Sequence, residues 1–420
     1  MLDIKFIKEH PEIVKLNLKK RFKEDKISLI DKVIKNHDSW LKLKKDSEEL
    51  RCKRNQLSEE INELKKKNES IKNLIREVQE IPDKIKSLEE KQSKIYEEMQ
   101  SILTQLPNIL DKNVPIGKDA SENKEIKKIG KIIKPKFELL NHVDLVEKRN
   151  LADFEQGTLV AGKRFNFLIG DLALLDIAIQ RYAIDFLTKK GFTFLVTPLM
   201  LNRKSIAGAV NLNDFEDVIY KVENEDLYLI ATGEHSLVNY LQGRTLTKLP
   251  IKLCTLTPCF RKEIGGHGVD MKGLFRMHQF YKVEQVVCCL PKDSEKIHHE
   301  MEAITEEFFT SLGIPFKVIE LCSGDLGDKF ARQWDIEAWF PRQEAYREIT
   351  SAGNCTDYQS RKLNIKYDIN GEKNFVHLLN NTMVATSRAI VAILENYQNP
   401  DRTIIIPNVL VPYMNGKKKI

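Results

Sequence analysis

The chain has no uninterrupted apolar run of membrane-spanning length, and its opening, Met1 to Lys15, breaks every short apolar stretch with a charged or polar residue. A soluble, cytoplasmic protein with no membrane partner is therefore expected. Cysteine is sparse: Cys52, Cys254, Cys259, Cys288, Cys289, Cys322 and Cys355 are odd in number and include no Cys-x-x-Cys pair. Neither a disulfide framework nor a zinc ribbon fits that spacing, so buried free thiols in a reducing compartment are the expectation. No nucleophilic Ser-His-Asp set can be identified. The glycine run Gly265-Gly266-x-Gly268 falls within a hairpin loop rather than between a strand and a helix, which makes it weak as a dinucleotide signal. His298-His299, on a charged helix, reads as solvated rather than metal-binding.

What is present divides along the chain. At 420 residues and 42% hydrophobic content there is enough for two or three domains with a sizeable core. The net charge of +6 is uneven: residues 1–150 hold 35 basic and 28 acidic side chains, and the rest hold 32 and 33. The first third is thus the better candidate for a polyanion contact, although a solvated helical face explains the surplus equally well. Residues 1–26 suggest a small helical base around His10-Pro11. From about residue 30 to 106 heptads appear: Leu43, Leu50, Leu57 and Leu64 with Ile61, then Leu74, Ile81, Leu88, Ile95 and Ile102 with Val78, Ile85, Met99 and Leu106. Joined by the polar turn Lys65 to Ser70, they predict an antiparallel coiled coil, whose arms of roughly 30 residues would project about 45 Å. Pro82 predicts a kink or a late helix start. Residues 41–100 carry 15 basic and 14 acidic side chains. Total charge therefore does not separate a dimerisation rod from a nucleic-acid arm with one selective face. Pro107, Pro115, Gly117, Gly130 and Pro135 mark 107–135 as a linker, and the tail Lys417 to Lys419 reads as solvated.

Beyond the linker, Leu172 to Lys190 is an amphipathic helix stopped at Gly191, and a strand from Phe192 to Val196 ends at Thr197-Pro198. A strand over Leu227 to Ala231 delivers Thr232-Gly233-Glu234; positions 232 and 234 point the same way if the chain stays extended, and a capping Thr with a nearby Glu is the alternative. Residues 260–284 read as a hairpin. Period-two alternation puts Arg261 and Glu263 on one face of its first strand, and Phe280, Lys282 and Glu284 on one face of its second. An aromatic plane, a guanidinium and carboxylates on one side could hold a nucleotide, and an ion-paired surface hairpin would look the same. A helix over 294–312 is followed by strands at Phe316 to Leu321, Gln333 to Phe340 and Ala345 to Thr350. These are antiparallel strands, not βαβ repeats. Val376 to Arg388 runs from a strand into a helix reaching Gln398, which places backbone donors and Arg388 beside an anion.

Phe260-Arg261-Lys262-Glu263 resembles the F-R-x-E core of the second signature motif of class II aminoacyl-tRNA synthetases. Met277-His278-Gln279-Phe280-Tyr281-Lys282-Val283-Glu284 narrows the resemblance to seryl-tRNA synthetase. The helix, strand and proline of 172–198 resemble the first motif, which builds the dimer interface in that family, although an ordinary helix and strand of the core would look the same; 376–388 resembles the third, with Asn380-Asn381-Thr382-Met383 in the archaeal and eukaryotic form. The resemblance implies an α+β chain: an N-terminal helical tRNA-binding domain over 1–106 with a long coiled-coil arm, the linker 107–135, and a class II antiparallel-sheet catalytic domain over 136–420. It implies ATP-dependent activation of L-serine and its transfer to tRNA(Ser), with the selenocysteine tRNA as a further candidate acceptor. A homodimer, a tRNA gripped by the arm and Mg²⁺ as cofactor are implied as well.

Arg261 would bridge the α-phosphate and the serine carboxyl, Glu263 would accept from the adenine amine, and Phe280 would stack on adenine. Arg388 would hold the γ-phosphate, with Lys262, Met277, Ile349 and Thr350 completing the ATP set. Thr232, Glu234, Glu284, Asn380 and Thr382 would enclose serine. Glu348 and Ser351 would hold the metal. Two other readings carry different activities. An activating enzyme that loads a carrier protein conflicts with the intact arm; a non-catalytic RNA-binding scaffold conflicts with the joint retention of Arg261, Glu263, Phe280, Glu348 and Arg388.

Overall fold

Two long helices dominate the first part of the computed structural model, which describes residues 1–212, 216–263 and 273–420. The chain divides into two compact units, Met1–Pro107 and Asn108–Ile420. In the first, α1 (Ile4–Glu9) is capped by Asp3, whose Oδ1 accepts from Lys5 N at 2.8 Å, and α2 (Pro11–Lys20) starts on Pro11, where a missing N–H costs nothing. Helices α3 (Ser28–Lys66) and α4 (Lys72–Gln105), 39 and 34 residues long, form the expected antiparallel pair. At 1.5 Å per residue α3 is about 58 Å long, exceeding the sequence expectation. Leu57, Ile81 and Ile85 form the buried seam, flanked by Leu50, Leu74 and Val78. Ion pairs Arg51–Glu89, Lys53–Glu77 and Lys32–Glu98 (2.7 Å) bridge the helices. Pro82 does not delay α4, which begins ten residues earlier. Pro82 is exposed beside the buried Ile81, so its ring stays out of the seam.

The second unit is built on an antiparallel sheet. Its strands are β1 (Lys124–Ile129), β2 (Thr193–Phe194), β3 (Ile251–Phe260), β4 (Gln279–Cys289), β5 (Phe316–Glu320), β6 (Arg332–Phe340), β7 (Ala345–Asn354) and β8 (His377–Ala385). Among the described residues the order is β1-β5-β6-β7-β8-β4-β3-β2, with only the β2–β3 pairing parallel. The segment expected to be a linker therefore supplies an edge strand: β1 pairs with β5 from Lys124↔Glu320 to Ile129↔Phe316. Its prolines and glycines flank that strand, which is why turn residues alone misread it.

The helices that matter to the site are α5 (His142–Lys148), α6 (Asp171–Lys189), α7 (Gly233–Tyr240), α8 (Ser294–Ser311), α9 (Tyr358–Leu363) and α10 (Thr386–Asn396). Gly191, at φ +86°, ends α6 as expected, with Phe192 N returning to Leu187 O at 3.1 Å. Helix α10 is buried on nearly every side, and its run Ala389 to Leu394 joins Leu172, Leu175, Ile179, Phe308 and Ile336 in one core.

His298 is not solvated. It is buried on α8, stacks on Trp334 at 4.1 Å with a 5° interplanar angle, and bonds Ala352 O at 3.0 Å, so the charged face of α8 lies on its other side. The tail's lysine side chains are exposed, yet its backbone is docked, with Ile404 N bonding Ile420 O at 2.7 Å. Among the described residues no helix is long and apolar enough to cross a membrane.

Candidate active site

The site occupies the middle of the sheet, where β7, β8, β4 and β3 lie side by side. In cross-strand register Glu284 of β4 faces Thr382 of β8 on one side and Thr255 of β3 on the other. Alternation explains why Lys282 and Glu284 share a face, and a bulge at Met383 keeps Thr382 opposite Glu284.

Glu284 Oε2 accepts from Thr232 Oγ1 and, at 2.7 Å, from Glu234 N; its Oε1 accepts from Thr382 Oγ1 at 3.1 Å and pairs with Lys282 Nζ. Burial disfavours the charge on this carboxylate. The adjacent Lys282 ammonium and these donors prevail and hold its pKa at about 2. All four acceptor positions are thus occupied by protein donors, and an entering hydroxyl or ammonium must displace one of them. His235, buried next to Glu234, is kept neutral by that burial, with a pKa of about 4.

Thr232 and Glu234 meet Glu284 by a route that strand alternation did not foresee. The strand stops at Leu229, Thr232 is the extended residue before α7, and Glu234 lies in the helix's first turn. A capping geometry is thus present, but the Thr232 hydroxyl points to Glu284 instead of to its own helix. Asn380 is buried next to this cluster with Nδ2 3.6 Å from Cys355 Sγ.

The nucleotide side is arranged differently from a regular hairpin. Strand β3 ends at Phe260, and Arg261 to Glu263 leave the ladder, with Arg261 N still bonded to His278 O at 2.9 Å and Lys262 N to Val218 O at 2.8 Å. Glu263 adopts φ +46°, a left-handed turn that ends the period-two pattern. The Arg261 guanidinium nevertheless stands 5.4 Å above the Phe280 ring, and its Nε donates to Ala231 O at 3.1 Å. Lys262 Nζ lies 6.0 Å from the Tyr220 ring. Glu263 is paired with Arg276 at 3.2 Å. Met277 is buried, with Asn166 Nδ2 2.7 Å from its sulfur. The loop with Gly265, Gly266 and Gly268 lies outside the described residues.

Arg388, in the first turn of α10, donates from Nη1 to Glu348 O at 2.8 Å and lies 5.1 Å over Phe275. Glu348 is half-exposed on β7, and the Ile349 and Thr350 side chains are buried. Ser351 accepts from Gln333 Nε2 at 2.8 Å and faces Asp335 across the sheet. The Asp335 carboxyl is pushed well above its usual range, chiefly by burial and then by the charge of Glu348. Among the described residues no group of three or more His, Cys, Asp or Glu could hold a metal alone. The Glu348 carboxylate and the Ser351 hydroxyl are hard oxygens, of the kind that suit Mg²⁺ shared with phosphates.

Lys329, Gln359 and Arg276 were not singled out in the sequence. Lys329 Nζ is 2.6 Å from both Glu234 oxygens across 95 residues of chain, a loop residue with no periodicity to mark it.

Residues 1–110 match the seryl-tRNA synthetase N-terminal domain, and 219–397 match the tRNA synthetase class II core domain (G, H, P, S and T). A serine–tRNA ligase of Methanocella arvoryzae is 46% identical over 99% of both chains. The crystal structure of seryl-tRNA synthetase from Pyrococcus horikoshii complexed with ATP superposes with a TM-score of 0.92 at 41% identity, covering 100% of this chain and 99% of that one. The cytoplasmic serine–tRNA ligase of Naegleria fowleri in complex with AMP gives 0.87 at 34% identity, over 100% and 98%.

Proposed function

The chain belongs to the seryl-tRNA synthetase family, and from that premise we propose how its residues activate L-serine with ATP and load it onto tRNA(Ser). The observation that carries the reading is the buried Glu284 cluster beside the Arg261–Phe280 pair: a hydroxyl-reading pocket next to a guanidinium and an aromatic plane. Serine enters with its hydroxyl and ammonium directed to Glu284, Glu234, Thr232 and Thr382, with Asn380 closing the pocket. A buried site built to bond a hydroxyl rejects an analogue without one by about 10⁴.

Arg261 aligns the serine carboxylate with the α-phosphorus of ATP. The carboxylate oxygen attacks in line, the bond to the β-phosphate bridge breaks, and pyrophosphate leaves. Phe280 stacks on adenine and Glu263 accepts from its amine, which requires Arg276 to share that carboxylate. Lys262 and Met277 flank the base and phosphates, with the backbone at Ile349 and Thr350, and Arg388 holds the γ-phosphate end. In the second step the terminal ribose hydroxyl of the tRNA attacks the seryl carbonyl carbon and AMP leaves. Both steps are catalysed by alignment and by neutralising phosphate charge, so no protein nucleophile is needed. Mg²⁺, held by Glu348 and Ser351, would draw negative charge from the phosphates.

The arm of Met1–Pro107 is the tRNA-reading part, by shape and backbone contacts. Leu174 and Ile177, three apart on α6, are 45% and 58% exposed, and Val196 is 91% exposed. This apolar surface lies on the helix-strand unit that the resemblance assigns to dimerisation, and we assign it to a second copy of the chain. The cytoplasm is the proposed site of action. The test is ATP–pyrophosphate exchange with all twenty amino acids, followed by charging of total tRNA. Exchange with serine and charging of tRNA(Ser) are expected, the same assay reads the selenocysteine tRNA, and exchange with another amino acid alone would sink the assignment.

A further inference from the structure

One ion pair of the site reaches in from outside the three motifs. Lys329 sits on the loop ahead of β6, and that loop is fixed from both sides. Asp328 O accepts from Asn108 N at 2.7 Å and Lys329 O from Asn108 Nδ2 at 3.0 Å, while Ala331 N donates to Asn354 O at 2.8 Å. Phe330 lies so close to Gly353 that a Cβ there would meet its ring at 2.0 Å. From this anchored backbone Lys329 Nζ lies 4.8 Å from the Phe330 ring centroid and 2.6 Å from each Glu234 oxygen. Gln359, buried on α9, uses its Nε2 on Ala209 O at 2.9 Å and Glu234 Oε1 at 2.7 Å, which fixes the orientation of its amide.

We propose that Lys329 is a positioning residue of the serine site, holding the Glu234 carboxylate in the orientation and charge state that receive the amino acid, with Gln359 fixing its rotation. The inference rests on the reading of Glu234 as part of that site. Glu234 and Glu284 are both buried, and the Glu284 carboxylate is bonded to the backbone N–H of Glu234, so two like charges share this pocket and repel each other unless each has its own cation. Lys282 serves Glu284 and Lys329 serves Glu234. Burial works against the charge on Lys329, but Glu234 more than offsets it and holds the ammonium above its ordinary pKa. A neutral side chain at 329 strands a buried carboxylate, whose protonation would remove the negative charge that attracts the incoming ammonium.

The test is serine-dependent ATP–pyrophosphate exchange by full-length K329M, K329R and K329M/E234Q between pH 6.5 and 9. In K329M the serine KM should rise about tenfold near pH 7 while the ATP KM changes by less than about twofold. The deficit should narrow as pH rises and Glu234 regains its charge. K329R should restore most of the affinity, and K329M/E234Q, which cannot ionise at 234, should keep its deficit at every pH. A wild-type serine KM in K329M across the range would overturn the proposal. So would a rise of serine and ATP KM together without pH dependence, the signature of a loosened loop. Should K329M fail to fold, the double variant strands no charge and decides the matter, a wild-type serine KM in it being the overturning result. Wild-type protein that cannot exchange pyrophosphate with serine would instead refute the reading of the site itself, and needs no variant to be seen.

Discussion

Arg388 Nη1 lies 2.8 Å from the main-chain oxygen of Glu348 and 3.4 Å from its carboxylate, so the proposed γ-phosphate anchor and the proposed metal ligand are bonded to each other across two elements. A phosphate tail bound here would take over the guanidinium, which would leave the Glu348 carboxylate free to hold Mg²⁺. Removing Arg388 should therefore weaken both partners. R388A is expected to lower kcat/KM for ATP in pyrophosphate exchange by about 100-fold or more, and to raise the Mg²⁺ concentration needed for half-maximal rate. An R388A variant with an unchanged Mg²⁺ titration would separate the two groups.

Glu284 gives a prediction on stability as well as on activity. Its pKa in the folded chain, about 2, lies below the ordinary glutamate value of 4.5. A carboxylate shifted downward stabilises the fold fully above about pH 4.5 and loses that contribution as pH falls toward 2. Wild type should thus lose stability relative to E284Q, by on the order of a few kcal/mol, as urea melts are moved from pH 6 to pH 3. E284A should abolish serine-dependent exchange at any pH. Wild-type exchange by that variant would remove Glu284 from the pocket.

Much of this fold was legible because its signals are periodic. The heptads through Leu57, Ile81 and Ile85 gave the arm, and alternation through Phe280, Lys282 and Glu284 gave one face of β4. Alternation failed where backbone irregularity takes over. Glu263 turns left-handed, Glu234 enters a helix, and the expected linker closes the sheet edge as β1. Family motifs still named the first two residues, since a motif records chemistry and not conformation. Neither kind of signal reached Lys329, whose place is set by Asn108 some 220 positions away in the chain, and Arg276 likewise shows its role only through its 3.2 Å approach to Glu263.

The segment leading into β4 is held by His142 at Gly273 and Leu274. The His142 Nε2 accepts from Leu274 N at 3.2 Å, and Gly273, at φ +91°, approaches so closely that a Cβ would stand 2.2 Å from the same nitrogen. Phe275, Arg276 and Met277 follow directly. G273A adds both a steric clash and a left-handed strain of about 1–3 kcal/mol, and should raise the KM for ATP while leaving that for serine within about twofold. Equal shifts in the two constants would mean a general loss of structure. H142A should act in the same direction.

His142 Nδ1 also lies 3.9 Å from Glu395 Oε1, and Glu395 accepts from Arg342 N at 3.0 Å. Burial raises the Glu395 carboxyl to about 7, against the opposing pull of the Arg342 amide and charge. For an acid shifted upward the folded state is favoured at low pH. Its contribution is complete below about pH 4.5 and is lost as pH rises through 7. Replacing it by a neutral amide removes that dependence. E395Q should therefore gain on wild type, by on the order of a few kcal/mol, between pH 5 and pH 8 in thermal or urea unfolding.

The two compact units give the last prediction its logic. Every residue assigned to ATP or serine belongs to Asn108–Ile420, whereas the paired helices α3 and α4 belong wholly to Met1–Pro107. Activation is assigned wholly to residues of Asn108–Ile420, so loss of the arm should leave that step intact. Deletion of residues 36–103 should keep serine-dependent pyrophosphate exchange within about threefold of wild type, while charging of tRNA(Ser) falls by about 100-fold or more as the phosphate and ribose contacts are lost. The seam offers a milder version of the same experiment. L57A removes a buried side chain between Ile81 and Ile85, at a cost of about 2–4 kcal/mol to the local pairing, and should raise the KM for tRNA without altering that for serine. Charging that survives the deletion would transfer tRNA reading to the second unit and leave the arm as a dimerisation rod.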